Sequence, residues 1–357
     1  MGNADVAAAA AAAPVWLRWG RKLAERESVW ASLVEAGLAW QPDPARQAGE
    51  CPVLALSSLS EWTAEHLKDA ALHVLRVEAA LRDAGWTLGS VASHWVQFLG
   101  CRPVWISQTA LRPRTGTDWP GRQGFQDELL APLLERSGRG RLERRWPAAV
   151  RRAAEWMAGR GSRDRNDPAA LMESVEKLEP RRRWSPWRNS LRPLEPAGPA
   201  AILAREEAAR RGARLIYEWR GRQPAAAPLR PWPGAAWVRF HEDDEEAAAD
   251  YLEMRALGAC ALPLWNSKGD PMAACPRRAP ADLLIAAGRG NVPQSGPELA
   301  RFTQVIRRMA TAALVEYTGA GDRGGWDLFL GTMSAAFRVV QVTDTGGGRR
   351  LCLLERE

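Results

Sequence analysis

Apolar residues recur at helical spacing over residues 15–40, where Trp16, Trp19, Leu23, Val29, Trp30, Leu33, Leu38 and Trp40 stand among polar positions; the pattern predicts an amphipathic helical segment. A second long helix is predicted from Ser60-Glu61-Trp62 through Arg82, with Leu67, Ala71, Val74, Leu75 and Leu81 on one face and Asp83-Ala84-Gly85 as its stop signal. Two short apolar runs, Trp95–Leu99 and Pro103–Ile106, joined by Gly100-Cys101-Arg102, read as a β-hairpin. Phe125–Leu134 returns to helix, and further helices are predicted at 148–157 and 168–178. From Ala200 the pattern alternates. A helix at 200–211 precedes a strand at Leu215, and a second strand runs over 237–240. Then come a helix at 245–257, strands at 261–264 and 282–286, and a helix at 298–308. A strand at 312–317 and a helix at 326–335 follow, before the paired runs 337–342 and 350–354. Strands alternating with helices and ending in a hairpin define a doubly wound α/β sheet.

These patterns divide the chain into four parts. Residues 1–13 are an Ala-rich tail expected to be disordered, and 14–150 an α-rich N-terminal domain containing the hairpin. Residues 151–199 are a helical connection rich in Pro and Arg, and 200–357 the Rossmann-like domain. A length of 357 residues accommodates two ordinary cores, and 46% hydrophobic with 25% charged residues is the composition of a soluble globular protein. The net charge of +7 comes from arginine, clustered at 139–152 and 181–183, but acidic residues nearly balance it and no nucleic-acid motif accompanies the clusters. The alanine run Ala7–Ala13 lacks the basic start of a signal peptide, and no apolar stretch reaches the length of a membrane span. Five cysteines without a close pair argue for reduced thiols and a cytoplasmic setting, and the four scattered histidines form no metal spacing.

The stretch Arg214–Glu246 carries the candidate chemistry. It has the outline of the first β-turn-α-β unit of a nucleotide-binding sheet: an apolar strand, a turn, a helix-length segment, and a second strand ending in acids. Such a turn needs glycines so that backbone and ligand can approach. Here it reads Tyr217-Glu218-Trp219-Arg220-Gly221-Arg222-Gln223, with one glycine. No nucleophile elbow, phosphate-binding loop or paired-carboxylate spacing is present elsewhere.

Over roughly residues 80–357 the chain resembles bacterial class I S-adenosylmethionine-dependent methyltransferases with a large N-terminal extension. Val96–Ile106 resembles that family's NVQFxGGRPVFID stretch, and Trp119, Phe125 and Leu130–Leu134 its W…F…LAPLLL. Leu262-Pro263-Leu264 with Pro271 resembles LPLVMDLANP, and Ala281–Leu284 resembles ADLVLA. Asn291-Val292-Pro293 resembles NVP, and Leu314–Tyr317 with Asp322 resembles LVIEF…D. The resemblance implies a Rossmann-like sheet whose last strand is antiparallel, and a cofactor cleft. By resemblance the vestigial cofactor positions are Tyr217, Glu218, Trp219, Gly221, His241, Glu242, Asp243 and Ser267, with Glu316 and Asn291 as further cleft candidates.

The departures from the family pattern gather at that cleft. The VLDLGCNTG motif falls on Leu215–Gln223 and loses most of its glycines; the ribose-binding acid falls near His241, with Glu242 and Asp243 adjacent. The acid expected near the adenine becomes Ser267, and the segment before NVP shrinks to Ala287–Gly290. An apolar framework retained while polar ligand positions change together implies a fold kept without its cofactor. The expectation is a degenerate methyltransferase-fold protein without a cofactor, serving as a structural or regulatory subunit in a homo- or heterodimer, beside an active homologue in the second case. Two alternatives stay open: an active methyltransferase with an atypical cofactor loop, and a fold repurposed for another reaction or for metabolite binding. The acidic run Glu242–Glu246 also reads as a helix N-terminus. Trp219 is expected to fold inward as a plug. Trp16, Trp19 and Trp30 are the interface candidates, set against core filling by some of the eighteen tryptophans.

Overall fold

The computed structural model describes residues 15–40, 54, 56–137, 167–179, 199–219, 235–266, 274–275, 278–287, 292–293, 295–319, 323–346 and 348–357. The expected tail at 1–13, the helix at 148–157 and the connection at 180–198 lie outside them. The chain forms two compact units that interleave along the sequence: 1–42, 68–96 and 104–179 make one, and 43–67, 97–103 and 180–357 the other. The Rossmann-like unit therefore takes in two short pieces from the first third of the chain, beyond the stretch from residue 200 that periodicity marks out.

In the first unit, helix α1 (Val15–Glu35) buries Trp30 and Leu33. The chain leaving it bridges to Trp105, through Trp40 N–H to Trp105 O at 2.9 Å and Trp105 N–H to Leu38 O at 3.0 Å. Helix α2 (Ala64–Asp83) runs from the second unit into this one and buries Val74, Leu75, Val77 and Leu81 completely. Gly85, at φ +77°, stops it where the sequence places the stop. Strand β1 (Trp86–Leu88) follows, then the hairpin β2 (Val96–Leu99) and β3 (Arg102–Trp105), of which residues 97–103 belong to the second unit, and β4 (Leu111–Pro113), which pairs antiparallel with β1. The β1–β4 pair was not expected: three residues are too few to show alternation. Buried Glu78 ties it to α2, accepting from Thr87 Oγ1 and Leu88 N at 2.8 Å and from Arg82 Nε at 2.8 Å. Burial pushes its pKa up against those bonds. Helix α3 (Arg122–Phe125), a π-turn (Gln126–Leu130), α4 (Ala131–Arg136) and α5 (Pro168–Glu176), capped by Asp167, complete the unit.

The second unit is a seven-stranded sheet of β5 (Leu215–Trp219), β6 (Ala236–His241), β7 (Ala261–Trp265), β8 (Leu283–Ala286), β9 (Ala312–Tyr317), β10 (Arg338–Gly346) and β11 (Arg349–Glu355). Their spatial order is β7-β6-β5-β8-β9-β11-β10. Strands β5 to β9 are parallel and β11 runs antiparallel between β9 and β10. Helices α6 (Pro199–Arg211), α7 (Asp244–Ala256), α8 (Gly296–Met309) and α9 (Arg323–Ser334) flank it. All residues of β5, β6, β8 and β9 are buried, as parallel strands covered on both faces must be. The hairpin tip closes one end of β7. Gly100, at φ +57°, sits so close to Ala259 that an added Cβ would lie 2.6 Å from its carbonyl oxygen, and the Cys101 thiol donates to Ala261 O at 3.1 Å.

Two expectations about side chains change. Cys260 is disulfide-bonded, while Cys101, Cys275 and Cys352 are buried thiols, so the cysteines are not all reduced. Of the tryptophans whose side chains are described, none is exposed, and Trp30 itself is 3% exposed. Of the other interface candidates, Trp16 and Trp19, the position on α1 is described and the side chains are not.

Candidate functional site

In open α/β sheets ligands bind beyond the carboxyl ends of the strands, where the strand order reverses. Here that place is set by the ends of β5, β6, β7 and β8. Strand β5 ends at Trp219, which is buried with its ring 5.2 Å from that of Phe302 on α8. The turn after it, with Gly221, lies outside the described residues, as do Ser267 and Asn291.

Alternation along β5 sends Glu218 to one face of the sheet and Tyr217 and Trp219 to the other. Glu218 and Arg239 are register partners and meet on the same face, Arg239 Nε donating to Glu218 Oε2 at 3.0 Å. Arg239 Nη1 reaches Asp250 Oδ1 of α7 at 2.8 Å, and Asp250 Oδ2 lies 2.9 Å from His241 Nε2. His241 Nδ1 is 3.5 Å from Glu246 Oε1. The result is a chain of charges, Glu218–Arg239–Asp250–His241–Glu246, of which the middle three are at most 3% exposed. Burial disfavours the charge on Arg239 and on His241, but the facing carboxylates outweigh it and both pKa values are raised. The His–Asp pair has the geometry of a base with its orienting carboxylate. Its other partners are a guanidinium and a carboxylate, and its depth denies it solvent.

On the opposite face Tyr217 is fully buried, donates its hydroxyl to Ala279 O at 2.5 Å and meets Phe240 edge-on at 5.4 Å. Burial drives its pKa up. Arg278 lies over Phe240 at 5.0 Å, donates to Leu56 O at 2.8 Å and pairs with buried Glu61. Both faces at the β5–β6 junction are thus filled by the protein's own polar groups.

The remaining candidates separate from this cluster or support it indirectly. Asp243 is the N-cap of α7, accepting from the backbone N–H groups of Glu245 and Glu246 at 2.9 Å, which is the helix-terminus role open to the acidic run. Glu242 contributes its backbone carbonyl, at 3.3 Å from Trp265 Nε1. Glu316 sits on β9 opposite Leu351, buried and away from β6. Among the described residues no group of three His, Cys, Asp or Glu side chains is placed to hold a metal ion.

Three participants escaped sequence reasoning: Arg239, Asp250 and Asn266. An arginine inside the apolar run Trp237–Phe240 and an aspartate within Ala247–Tyr251 were the available signals, since a buried charge requires a partner. Asn266 follows the last residue of β7, its N–H bonded to His241 O at 2.6 Å. Its carboxamide is buried, and among the described residues both Nδ2 and Oδ1 are unpartnered.

Numbered within the sheet, the strands run third, second, first, fourth, fifth, seventh, sixth, with the seventh antiparallel. That is a Rossmann-like sheet whose last strand is antiparallel, the fold that the resemblance implies. No family model matches the chain. A stretch of 78 residues is 40% identical to nodulation protein NoeA of Rhizobium meliloti, covering 22% of this chain and 16% of that protein. Among solved structures, the chain is similar to the 16S rRNA N2 G1207 methyltransferase (RsmC) of T. thermophilus in complex with AdoMet and guanosine (16% identity over 45% of this chain and 44% of that one, TM-score 0.32). A methyltransferase from Pyrococcus furiosus matches at 9% identity over 45% and 87% of the two chains, with a TM-score of 0.34.

Proposed function

We propose that this protein is a methyltransferase-fold subunit that does not bind adenosylmethionine and acts through association rather than methyl transfer. The observation that carries this reading is the buried chain Glu218–Arg239–Asp250–His241. Glu218 and His241 stand at the ends of the first two sheet strands, where a cofactor's polar groups would be met, and their hydrogen-bonding capacity is turned inward. Trp219, its ring tilted against that of Phe302, fills volume at the point where a glycine turn would admit the ligand. A fold kept with this filling is retained for its surface. Tagged full chain isolated from its native host tests the subunit role: it is expected in complex, either with itself or with a second methyltransferase-fold protein. Recovery as a free monomer contradicts it.

One observation favours a second reading, a small metabolite bound in the old cleft. Asn266 offers a buried donor and acceptor without partners, beside His241, and an unpaired buried amide is costly unless something fills its bonds. Asn266→Leu separates the two: under the subunit reading it removes an unsatisfied group and stabilises the fold, by about 1 kcal/mol.

A further inference from the structure

The two edges of the seven-stranded sheet differ. At β7 the tip of the β2–β3 hairpin and the Leu59–Glu61 turn lie against the strand. At the other edge β10, nine residues long, is hydrogen-bonded among the described residues to β11 alone and is largely exposed on both faces. Of the five large apolar side chains exposed among the described residues, four lie on this strand and on helices α6 and α9: Val340 and Val342 at 44%, Ile202 on α6 at 49% and Leu328 on α9 at 43%. Helix α9 packs beside β10 on one face. On the other, α6 and β10 flank a groove of about 360 Å³ floored by Leu203, Leu314, Leu351 and Leu353. The charges around the edge are of both signs: Arg338, Asp344, Glu206 and Arg210. A nucleic acid asks for one sign, whereas a surface that meets its own copy requires both.

We propose that the β10 edge is a self-association surface, on which β10 of a second copy of this chain adds antiparallel across a two-fold axis. An edge strand presents a row of unpaired N–H and C=O groups, and another strand satisfies them with backbone hydrogen bonds. Register shifts at Val340 and Thr345 bound a regular stretch over Gln341–Asp344. A two-fold axis at Val342 sets that residue opposite itself and Gln341 opposite Thr343 of the second copy. Side chains then stay on matching faces, and no like charges are opposed within this core. So short a ladder falls below the roughly 1,000 Å² of a stable interface. Helices α6 and α9 supply the rest, with Ile202 and Leu328 meeting their counterparts above and below the sheet.

This inference names the partner for the subunit reading, and it does not depend on the cofactor. A dimer that bound adenosylmethionine would refute the proposed function and leave this interface standing. Sedimentation equilibrium on the full chain tests it. Wild type is expected to be dimeric, Val342→Lys and Ile202→Asp each to weaken the dimer at least tenfold with circular dichroism unchanged, and Leu257→Lys, an exposed apolar position away from this edge, to leave it intact. Wild type that is monomeric at every concentration overturns the proposal. So does a dimer that both β10-edge variants leave as tight as wild type, or one that Leu257→Lys weakens equally.

Discussion

Arg239 is fully buried and held by two carboxylates, so its removal strands Glu218 and Asp250 as uncompensated charges. Arg239→Met is expected to cost about 3–5 kcal/mol in urea unfolding, while the triple replacement Glu218→Leu, Arg239→Met, Asp250→Leu recovers most of that loss. A triple variant no more stable than the single one would show that the network is needed for folding itself. His241 adds a pH dependence. Its folded-state pKa lies above the ordinary 6.5, so its contribution is complete below that value and is lost as pH rises through the folded pKa. The groups facing it are Asp250 and Glu246, with Arg239 sharing Asp250. The stability difference between wild type and His241→Gln should therefore narrow as pH rises above 6.5, and a difference that widens would reverse the assignment. The sequence shows that Glu218 and His241 depart from the family pattern. It does not show the buried network they join, because that network links residues from β5, β6 and α7 through side-chain direction, which periodicity does not encode.

At the scale of elements, helices and strands of the second unit were legible because each is long enough to show its period. The predicted strand at 312–317 coincides with β9, and the predicted helix at 200–211 differs from α6 by one residue at its start. Two features were not. The long helix expected from Ser60 begins at Ala64, because Leu59–Glu61 forms a separate 3₁₀ turn whose Ser58 N–H bonds Glu61 at 2.9 Å. The association of the hairpin tip with the distant strand β7 depends on contacts some 150 residues away in sequence, such as Tyr251 Oη to Cys101 O at 3.0 Å. Gly100 is the residue that permits it. Gly100→Ala meets both a left-handed φ and a backbone oxygen at 2.6 Å, and is expected to lower stability by about 2 kcal/mol, whereas Gly116→Ala, with open space around its Cβ position, should change it little. Equal effects from the two would mean that the tip does not need its close approach.

At the scale of the molecule, the tryptophan count suggested an interface, and the structure directs the described tryptophans inward. Trp30→Ala is expected to cost about 3–5 kcal/mol of stability while leaving association unchanged, the signature of a core residue. Among the described residues, four of the five exposed large apolar side chains lie on β10, α6 and α9. The proposed inability to bind adenosylmethionine is tested most directly by isothermal titration calorimetry of that ligand into the purified full chain. The buried network of Glu218, Arg239, Asp250 and His241, with Trp219 packed at the end of β5, predicts no saturable heat up to millimolar ligand. A one-site isotherm with a micromolar dissociation constant, about −8 kcal/mol of binding, would contradict it.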